Sequence, residues 1–150
     1  MEEKVNEIKI ISFNLDNELY GFDISNIDNI MQYSAVTKVP LVEYYYLGII
    51  NVRSAIIPLI SMRRLLGFPD VEITSETRII IIQDEDKEMI AFMVDSVNDI
   101  STHHVSEIIS EAAESMTNKA FIRGVLKKDD RLLTLLDEHS IFSEIKAVNS

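Results

Sequence analysis

The chain has 150 residues, of which 47% are hydrophobic and none is cysteine, so one domain can bury a core without disulfides or zinc–thiolate sites. Its 25 acidic and 14 basic residues give a net charge of −11, which disfavours nucleic acid as a partner because phosphate binding depends on lysine and arginine. The polar start, and the lack of any apolar run near the roughly 20 residues of a membrane helix, predict a cytoplasmic protein without signal peptide or membrane span.

Apolar runs rich in isoleucine alternate with polar turns along the chain and predict β-strands paired as hairpins. The four predicted hairpins join residues 8–15 to 19–24, 49–52 to 55–60, 78–83 to 89–94, and 124–126 to 131–136. Helices are expected to be few and short, at 25–31, 62–66, 105–116 and 137–148. The polar, turn-prone segment 69–75 is the expected boundary between two halves. The pattern therefore predicts a mainly β protein.

The two halves of the chain resemble each other. A shift of 70 positions superposes Phe22 on Phe92. Farther along, a shift of 76 superposes Gly48 on Gly124. The same order of hairpin, irregular or helical segment and glycine-led hairpin thus occurs twice, although short apolar runs can also match by chance. A true repeat predicts two small β-barrels within one domain, because half of this chain buries little core alone. The expected divisions are 8–70 and 76–145, with strands free to cross between them.

A reaction centre is not visible in the sequence. The neighbours His103 and His104 would lie on opposite faces of a strand and cannot easily share a metal ion. The four glycines are scattered, so no phosphate-binding loop can be written. Acidic clusters at 84–86 and 129–130 lack the ligand spacing of a calcium loop and are explained as solvated turns. We therefore expect neither an enzyme nor a metal site.

The most distinctive segment is 46–60, which reads Tyr-Leu-Gly-Ile-Ile-Asn-Val-Arg-Ser-Ala-Ile-Ile-Pro-Leu-Ile. Gly48 permits a close backbone approach or a positive φ before a buried strand. Arg53 interrupts the apolar run at the apex of a hairpin, where its planar guanidinium can reach outward. Pro58 within a strand pattern indicates an edge or a bulge, because proline cannot donate to the ladder.

This segment resembles the signature of the CheW family of chemotaxis coupling proteins: a glycine-led strand, an Asn-x-Arg-Gly turn and an apolar strand with a proline. Further matching stretches lie on both sides, in the family's order and spacing, at 18–24, 27–30, 36–40, 91–97, 121–125 and 131–137. The resemblance thus covers about residues 8–145, nearly the whole chain.

The resemblance implies a fold of two SH3-like five-stranded β-barrel subdomains with a few short helices. It also implies a non-enzymatic adaptor that binds the regulatory domain of a CheA-type histidine kinase and the cytoplasmic tip of methyl-accepting chemoreceptors. Such an adaptor uses no cofactor and is recruited through receptor arrays to the inner face of the membrane. Receptor tips are helical hairpins, so a helix-in-groove contact is expected.

The resemblance also indicates which residues would contact the kinase or receptor: Arg53, Asn51, Ile27, Asn29 and Ile30. Gly48 and Pro58 are expected to shape this surface rather than touch a partner. The alternatives are that Arg53 is a hairpin-tip arginine braced by a nearby carboxylate, and that the two isoleucines belong to the core.

Three positions depart from the family pattern. Ser54 stands where glycine is usual, and serine tolerates a positive φ less well. Asn29 and Ser61 stand where glutamate and aspartate are frequent, so Arg53 is expected to lose one ion-pair partner. Of the adjacent tyrosines at 44–46, at least one is expected to be exposed, because three neighbours cannot all face one core.

Two kinds of alternative stay open at this point. One is a CheW-like module with a different setting: a kinase's own regulatory domain, a coupling–receiver fusion, or the regulatory module of a divergent system with restricted or different partners and no role in motility. The other is a small enzyme built on tandem barrels, for which the sequence offers no chemistry.

Overall fold

The computed structural model describes residues 6–34, 36–40 and 43–149, with side chains as far as residue 146. Its strands are β1 (Glu7–Leu15), β2 (Glu18–Asp23), β3 (Ile27–Gln32), β4 (Tyr46–Val52), β5 (Ala55–Ser61), β6 (Arg78–Gln83), β7 (Met89–Val94), β8 (Ser96–His104), β9 (Ile122–Lys128) and β10 (Arg131–Leu136). Its α-helices are α1 (Met62–Leu66) and α2 (Glu138–Asn149), and 3-10 turns lie at Ile24–Asn26, Val105–Glu107, Ser110–Ser115 and Lys119–Phe121. The mainly β class is confirmed.

The strands form two five-stranded sheets. Sheet A has the order β8-β1-β2-β10-β9, and sheet B has the order β3-β6-β7-β5-β4. All four predicted hairpins are present as antiparallel pairs. Each sheet combines strands from both halves of the chain, so the ranges 8–70 and 76–145 do not each make a sheet of their own. The strands cross between them.

The internal repeat is visible in the strand register. In sheet A, β2 and β10 run parallel, with Gly21 opposite Leu135. In sheet B, β7 and β5 run parallel, with Ala91 opposite Leu59. The offsets between these two pairs are 91 − 21 = 70 and 135 − 59 = 76, the same as in the sequence. The repeat is therefore structural rather than a chance match of apolar runs.

Burial on both sides of the inner strands explains why they are apolar throughout. In β6, Ile79 and Ile81 face a cluster inside sheet B, whereas Ile80 and Ile82 face a core shared by both sheets. The shared core also contains Phe13 and other side chains of β1 and β2, together with apolar residues of α1 and α2. A strand with two buried faces shows no polar alternation, because successive side chains point to opposite sides.

Two of the four predicted helices are confirmed. In α1, the Ser61 side chain accepts a hydrogen bond from the Arg64 amide at the N-terminus, and Gly67 ends the helix with φ 90°. The C-terminal helix is confirmed as α2. The helix expected at 25–31 is wrong: a 3-10 turn leads into β3, because this segment pairs with β6.

The helix expected at 105–116 is also wrong, since this segment forms short 3-10 turns instead. The Ile109 amide donates to the Val125 carbonyl at 2.8 Å, and the Val125 amide donates back to Ile109 at 3.1 Å. Holding the backbone against β9 in this way keeps residue 109 extended, and a continuous helix cannot pass through it.

A buried arginine joins the two sheets at one end. The Arg63 side chain, 5% exposed, donates to both carboxylate oxygens of Asp95 at 2.8 Å, to Asp16 and to the Pro69 carbonyl. Asp16 lies at the β1–β2 turn in sheet A, and Asp95 lies where the chain leaves β7 in sheet B. The hydrogen bonds that Arg63 donates to Asp95 and Asp16 raise the pKa of Arg63 further above its usual range. This cluster therefore fixes α1 against both sheets.

Candidate partner-binding site

The β4–β5 hairpin turns at Arg53 and Ser54, both in the left-handed region, with φ 49° and 72°. A two-residue turn with positive φ at both positions is of type I′, which matches the right-handed twist of the flanking strands. Ser54 therefore adopts a positive φ although serine carries a Cβ. The turn directs the side chain of Arg53 away from the sheet, and 72% of that side chain is exposed.

Arg53 is braced by a nearby carboxylate, as one of the alternatives expected, and that carboxylate belongs to Asp28, which the sequence did not single out. Its Nη2 donates to Asp28 Oδ2 at 3.0 Å. The pairing of β3 with β6 shifts register between Ile27 and Asn29, and Asp28 lies in this bulge. Asn29 instead accepts a hydrogen bond from the Ile30 amide at 2.8 Å. The carboxylate missing at position 29 is thus supplied by its neighbour.

The remaining candidate contact residues flank this ion pair. Asn29 in β3 and Asn51 in β4 are exposed. Ile27 and Ile30 are partly buried and pack against the shared core. This packing holds both side chains in place while part of each stays accessible. The Arg53–Asp28 pair connects the β4–β5 hairpin to β3 and so brings these two groups of predicted residues to one side of sheet B.

Gly48 is required by a close approach of the backbone. The Thr37 amide donates to the Ile49 carbonyl at 3.0 Å, and the Ile49 amide donates to Thr37 at 2.9 Å. A Cβ at residue 48, where φ is 149°, would collide with the Thr37 carbonyl oxygen. Gly124 meets the equivalent crossing by Ile109 in sheet A. Both glycine-led hairpins therefore carry a covering segment on their first strand.

Pro58 does not lie in an edge strand, since β5 runs between β4 and β7. Its partner Ile49 uses both backbone groups on Thr37, so the backbone nitrogen of Pro58 faces the β7 side. The pairing with β7 begins only at Leu59. The proline is therefore tolerated one residue before the ladder in which its missing N–H would be needed.

Each sheet also carries an exposed apolar residue on its glycine-led hairpin that was not singled out from the sequence as a contact residue. Ile56 on β5 is 69% exposed, and the position equivalent under the 76-residue shift, Leu132 on β10, is 65% exposed. The 76-residue shift of the repeat already aligns these two residues, so the sequence did contain a sign that they occupy equivalent positions. Tyr44 is 63% exposed whereas Tyr45 and Tyr46 are buried, so the expectation of an exposed tyrosine is confirmed.

The other chemistry considered above is not assembled in the described part of the chain. His103 is buried and His104 exposed, as expected for neighbours on a strand. Among the described residues, no three histidine or carboxylate side chains come close enough to hold a metal ion. None of the described helices has the length and apolar composition needed to cross a membrane.

The comparison with known families decides the assignment. Residues 9–146 match the model of the CheW-like domain. The chain belongs to this family. Over 138 residues it is 36% identical to the chemotaxis protein CheW of Bacillus subtilis, covering 91% of this chain and 87% of that one. It is 28% identical to CheW of Thermotoga maritima over 146 residues, covering 97% and 94% of the two chains.

A solved structure supports the same assignment. The scaffolding protein TtCheW from Thermoanaerobacter tengcongensis superposes with a TM-score of 0.80 at 28% identity, covering 87% of this chain and 84% of that one. The fold is therefore the SH3-like β fold of the CheW family. With these relatives, the chain is a non-enzymatic chemotaxis adaptor.

Proposed function

We propose that the chain binds the regulatory domain of a CheA-type histidine kinase and the cytoplasmic tip of methyl-accepting chemoreceptors, and thereby supports receptor control of kinase activity. Its place of action is the cytoplasmic face of the membrane, where receptor arrays recruit it. The proposal rests on membership of a family of chemotaxis adaptors and on one surface of sheet B.

The observation that most strongly supports partner binding is the exposed guanidinium of Arg53 on a tight turn. An exposed arginine is typical of interface centres, where arginine is enriched and its fork binds carboxylates, and the same hairpin carries the exposed Ile56. Asn51 and Asn29 supply polar groups around it, and Ile27 and Ile30 supply partly buried apolar surface. We assign partner binding to these residues, with Gly48 and Pro58 shaping the hairpin.

The test is reconstitution with a kinase and a receptor from the same cell. Purified chain is mixed with the kinase, and retention in a pull-down and autophosphorylation are measured with and without receptor. We expect co-purification, stimulation that depends on receptor, and no phosphoryl label on the adaptor itself.

Arg53→Ala should weaken the complex about tenfold or more, because arginines at interface centres contribute on this scale. The matched control is Arg131→Ala, which removes an exposed arginine from the β9–β10 hairpin of sheet A, where Nη2 donates to the Asn17 carbonyl. Equal losses in both variants, at unchanged melting temperature, would contradict the assignment of Arg53.

The alternative is a divergent signalling system with restricted or different partners and no role in motility. The observation that favours it is the altered hairpin chemistry, with Ser54 at the turn and the carboxylate at Asp28 instead of position 29. This alternative would be supported if the chain binds a CheA-type kinase but deletion of the gene for this chain leaves swimming unchanged. Absence of binding to every such kinase and receptor of the cell would overturn the proposed function.

A further inference from the structure

Each sheet leaves a gap between its two edge strands, which we call the seam. In sheet B the seam lies between β3 and the β4–β5 hairpin and is bridged by Asp28 and Arg53. In sheet A it lies between β8 and the β9–β10 hairpin and is bridged by Asp99 and Lys128 at 3.0 Å. The shifts of 70 and 76 carry residues 28 and 53 to 98 and 129, each one position from its counterpart. The repeat thus conserves an ion pair at both seams.

The two seam pairs differ in which partner is exposed, the cation in sheet B and the carboxylate in sheet A. The Lys128 side chain is 11% exposed, contacts Asp99 and Asp129, and its pKa is raised by the hydrogen bond to Asp99. Ser12 also donates to Asp99, whose pKa is lowered by Lys128 and Ser12. In sheet A the cation is therefore the enclosed member of the pair, while its partner Asp99 is 59% exposed.

The pair in sheet B is open. Arg53 is 72% exposed and, among the described residues, bonds Asp28 through Nη2. A guanidinium carries donors on three nitrogens in one plane, so a largely exposed arginine that uses Nη2 can still donate to a second carboxylate. The Asp28 side chain is 23% exposed, so the carboxylate itself lies close to any group that approaches the arginine.

The backbone on both sides of the seam positions this pair. Two residues that carry a Cβ occupy the left-handed region at the tip, as a type I′ turn requires, and Asp16, Lys87 and Asp129 adopt the same region in the other three hairpin turns. On the opposite side of the seam, the bulge in β3 places Asp28 against the arginine.

We infer that Asp28 is an internal competitor for Arg53: a partner carboxylate displaces it from the guanidinium when the adaptor binds, and Asp28 thereby sets the affinity of the complex. This inference rests on the proposed function. The partner surface is acidic where it meets Arg53 and apolar where it meets Ile56, which is 69% exposed.

The energetics favour an exchange over a permanent bond. An exposed ion pair contributes little to stability, so its loss can be offset by a better-desolvated pair across an interface. Asp28 opposes such a partner twice, by occupying Nη2 and by repelling the incoming carboxylate. Removing its charge should therefore tighten binding, whereas a residue that only positioned Arg53 would weaken binding when removed.

The experiment measures dissociation constants of wild type, Asp28→Asn, Arg53→Ala and the double variant, separately for the kinase regulatory domain and a receptor-tip fragment. With the partner whose binding depends on Arg53, Asp28→Asn should bind about threefold more tightly, the scale of an exposed ion pair. In the Arg53→Ala background the same change should have no effect, because there is no guanidinium left to release.

Asp86→Asn is the matched control, because Asp86 is an exposed carboxylate in the β6–β7 turn of the same sheet. It removes the same charge and should leave the affinity unchanged. Unchanged or weaker binding by Asp28→Asn, equal tightening in the Arg53→Ala background, or binding of both partners that does not depend on Arg53 would overturn the inference while leaving wild-type binding, and so the adaptor function, intact. Thermal melts of all variants confirm that folded proteins are compared.

Discussion

Glu138 shows how one buried carboxylate can link the fold to pH. It begins α2, is 7% exposed, and accepts a hydrogen bond from the Asp23 amide at 2.7 Å. Burial raises the pKa of Glu138 to about 7, although hydrogen bonds from Asp23 and Asn26 oppose this shift. The folded chain therefore holds a proton at Glu138 that the unfolded chain releases at a lower pH.

We expect stability to fall as the pH rises from about 5 to about 8, with Glu138 contributing about 2 to 3 kcal/mol to that change. The sign follows because the folded-state pKa lies above the unfolded one, so the stabilisation is lost as the pH passes through about 7. Glu138→Gln should flatten the profile and exceed the wild type at pH 8. Urea unfolding at several pH values measures both. A slope unchanged by the substitution would contradict this role.

Arg63 and Arg64 are neighbours with different surroundings. Arg63 is buried and binds Asp95 and Asp16, whereas the Arg64 side chain is 30% exposed and pairs with the exposed Asp70 at 2.9 Å. Burial would raise the pKa of Asp95, but hydrogen bonds from Arg63 and from the Asp16 amide lower it. The stabilisation from this pair is therefore present at neutral pH and is lost as the pH falls through the depressed pKa.

Arg63→Met should cost about 2 to 4 kcal/mol of unfolding free energy, because it leaves two carboxylates facing each other beside buried surface. Arg64→Met should cost less than about 1 kcal/mol, as expected for an exposed pair. Denaturant midpoints at pH 7 measure the difference. Equal costs would show that Arg63 does not hold the sheets together.

At the scale of elements, the covering segments explain why each half carries a glycine before its second hairpin. The backbone of Thr37 crosses β4 at Gly48, and that of Ile109 crosses β9 at Gly124. The same pairing explains a failed prediction: the segment around Ile109 cannot be helical while it bonds to β9. Apolar spacing alone does not reveal such a crossing.

Gly48→Ala should destabilise the chain by about 2 to 4 kcal/mol and displace the covering segment, since the new Cβ meets backbone that cannot rotate away. Gly67→Ala is the comparison: φ is also positive, but no atom lies within 4 Å of the new Cβ, so only about 1 kcal/mol is expected. Urea unfolding compares the two. A larger loss for Gly67→Ala would contradict the role given to the crossing.

At the scale of the whole molecule, the exchange of strands makes the two sheets interdependent. Removing residues 76–150 would delete β8, β9 and β10 from sheet A and β6 and β7 from sheet B. The shared core would lose one side as well. Neither half can therefore bury its apolar strands alone.

We expect the full chain to unfold in a single transition, with the slowest amide exchange in the central strands β2 and β7 reporting the same free energy. Fragments 1–75 and 76–150 should each lack a cooperative thermal transition by circular dichroism. A fragment that melts cooperatively alone would show that one sheet is an independent unit.

The candidate site was predictable only in part. Neighbouring residues determine its turn, whereas the contact between Arg53 and Asp28 depends on strand pairing between distant parts of the chain. The hairpin with Arg53 at its tip follows from a turn between two apolar runs, and the segment containing Ile27 and Asn29 follows from the family resemblance. Asp28 was missed because its contact depends on a bulge in pairing with β6, more than 50 residues farther along the chain.

The sequence by itself determined the four hairpins, the mainly β class, two helices and the internal repeat, because turns, caps and burial patterns are encoded by neighbouring residues. Only the tertiary structure decided that strands exchange between halves, that 27–32 is a strand, and that Arg53 meets Asp28 while Lys128 meets Asp99. Isoleucine-rich strands can pair with several partners of the same pattern. The most stable pairing is the one that buries both sheets around one shared core. The free energy of that burial depends on residues from the whole chain.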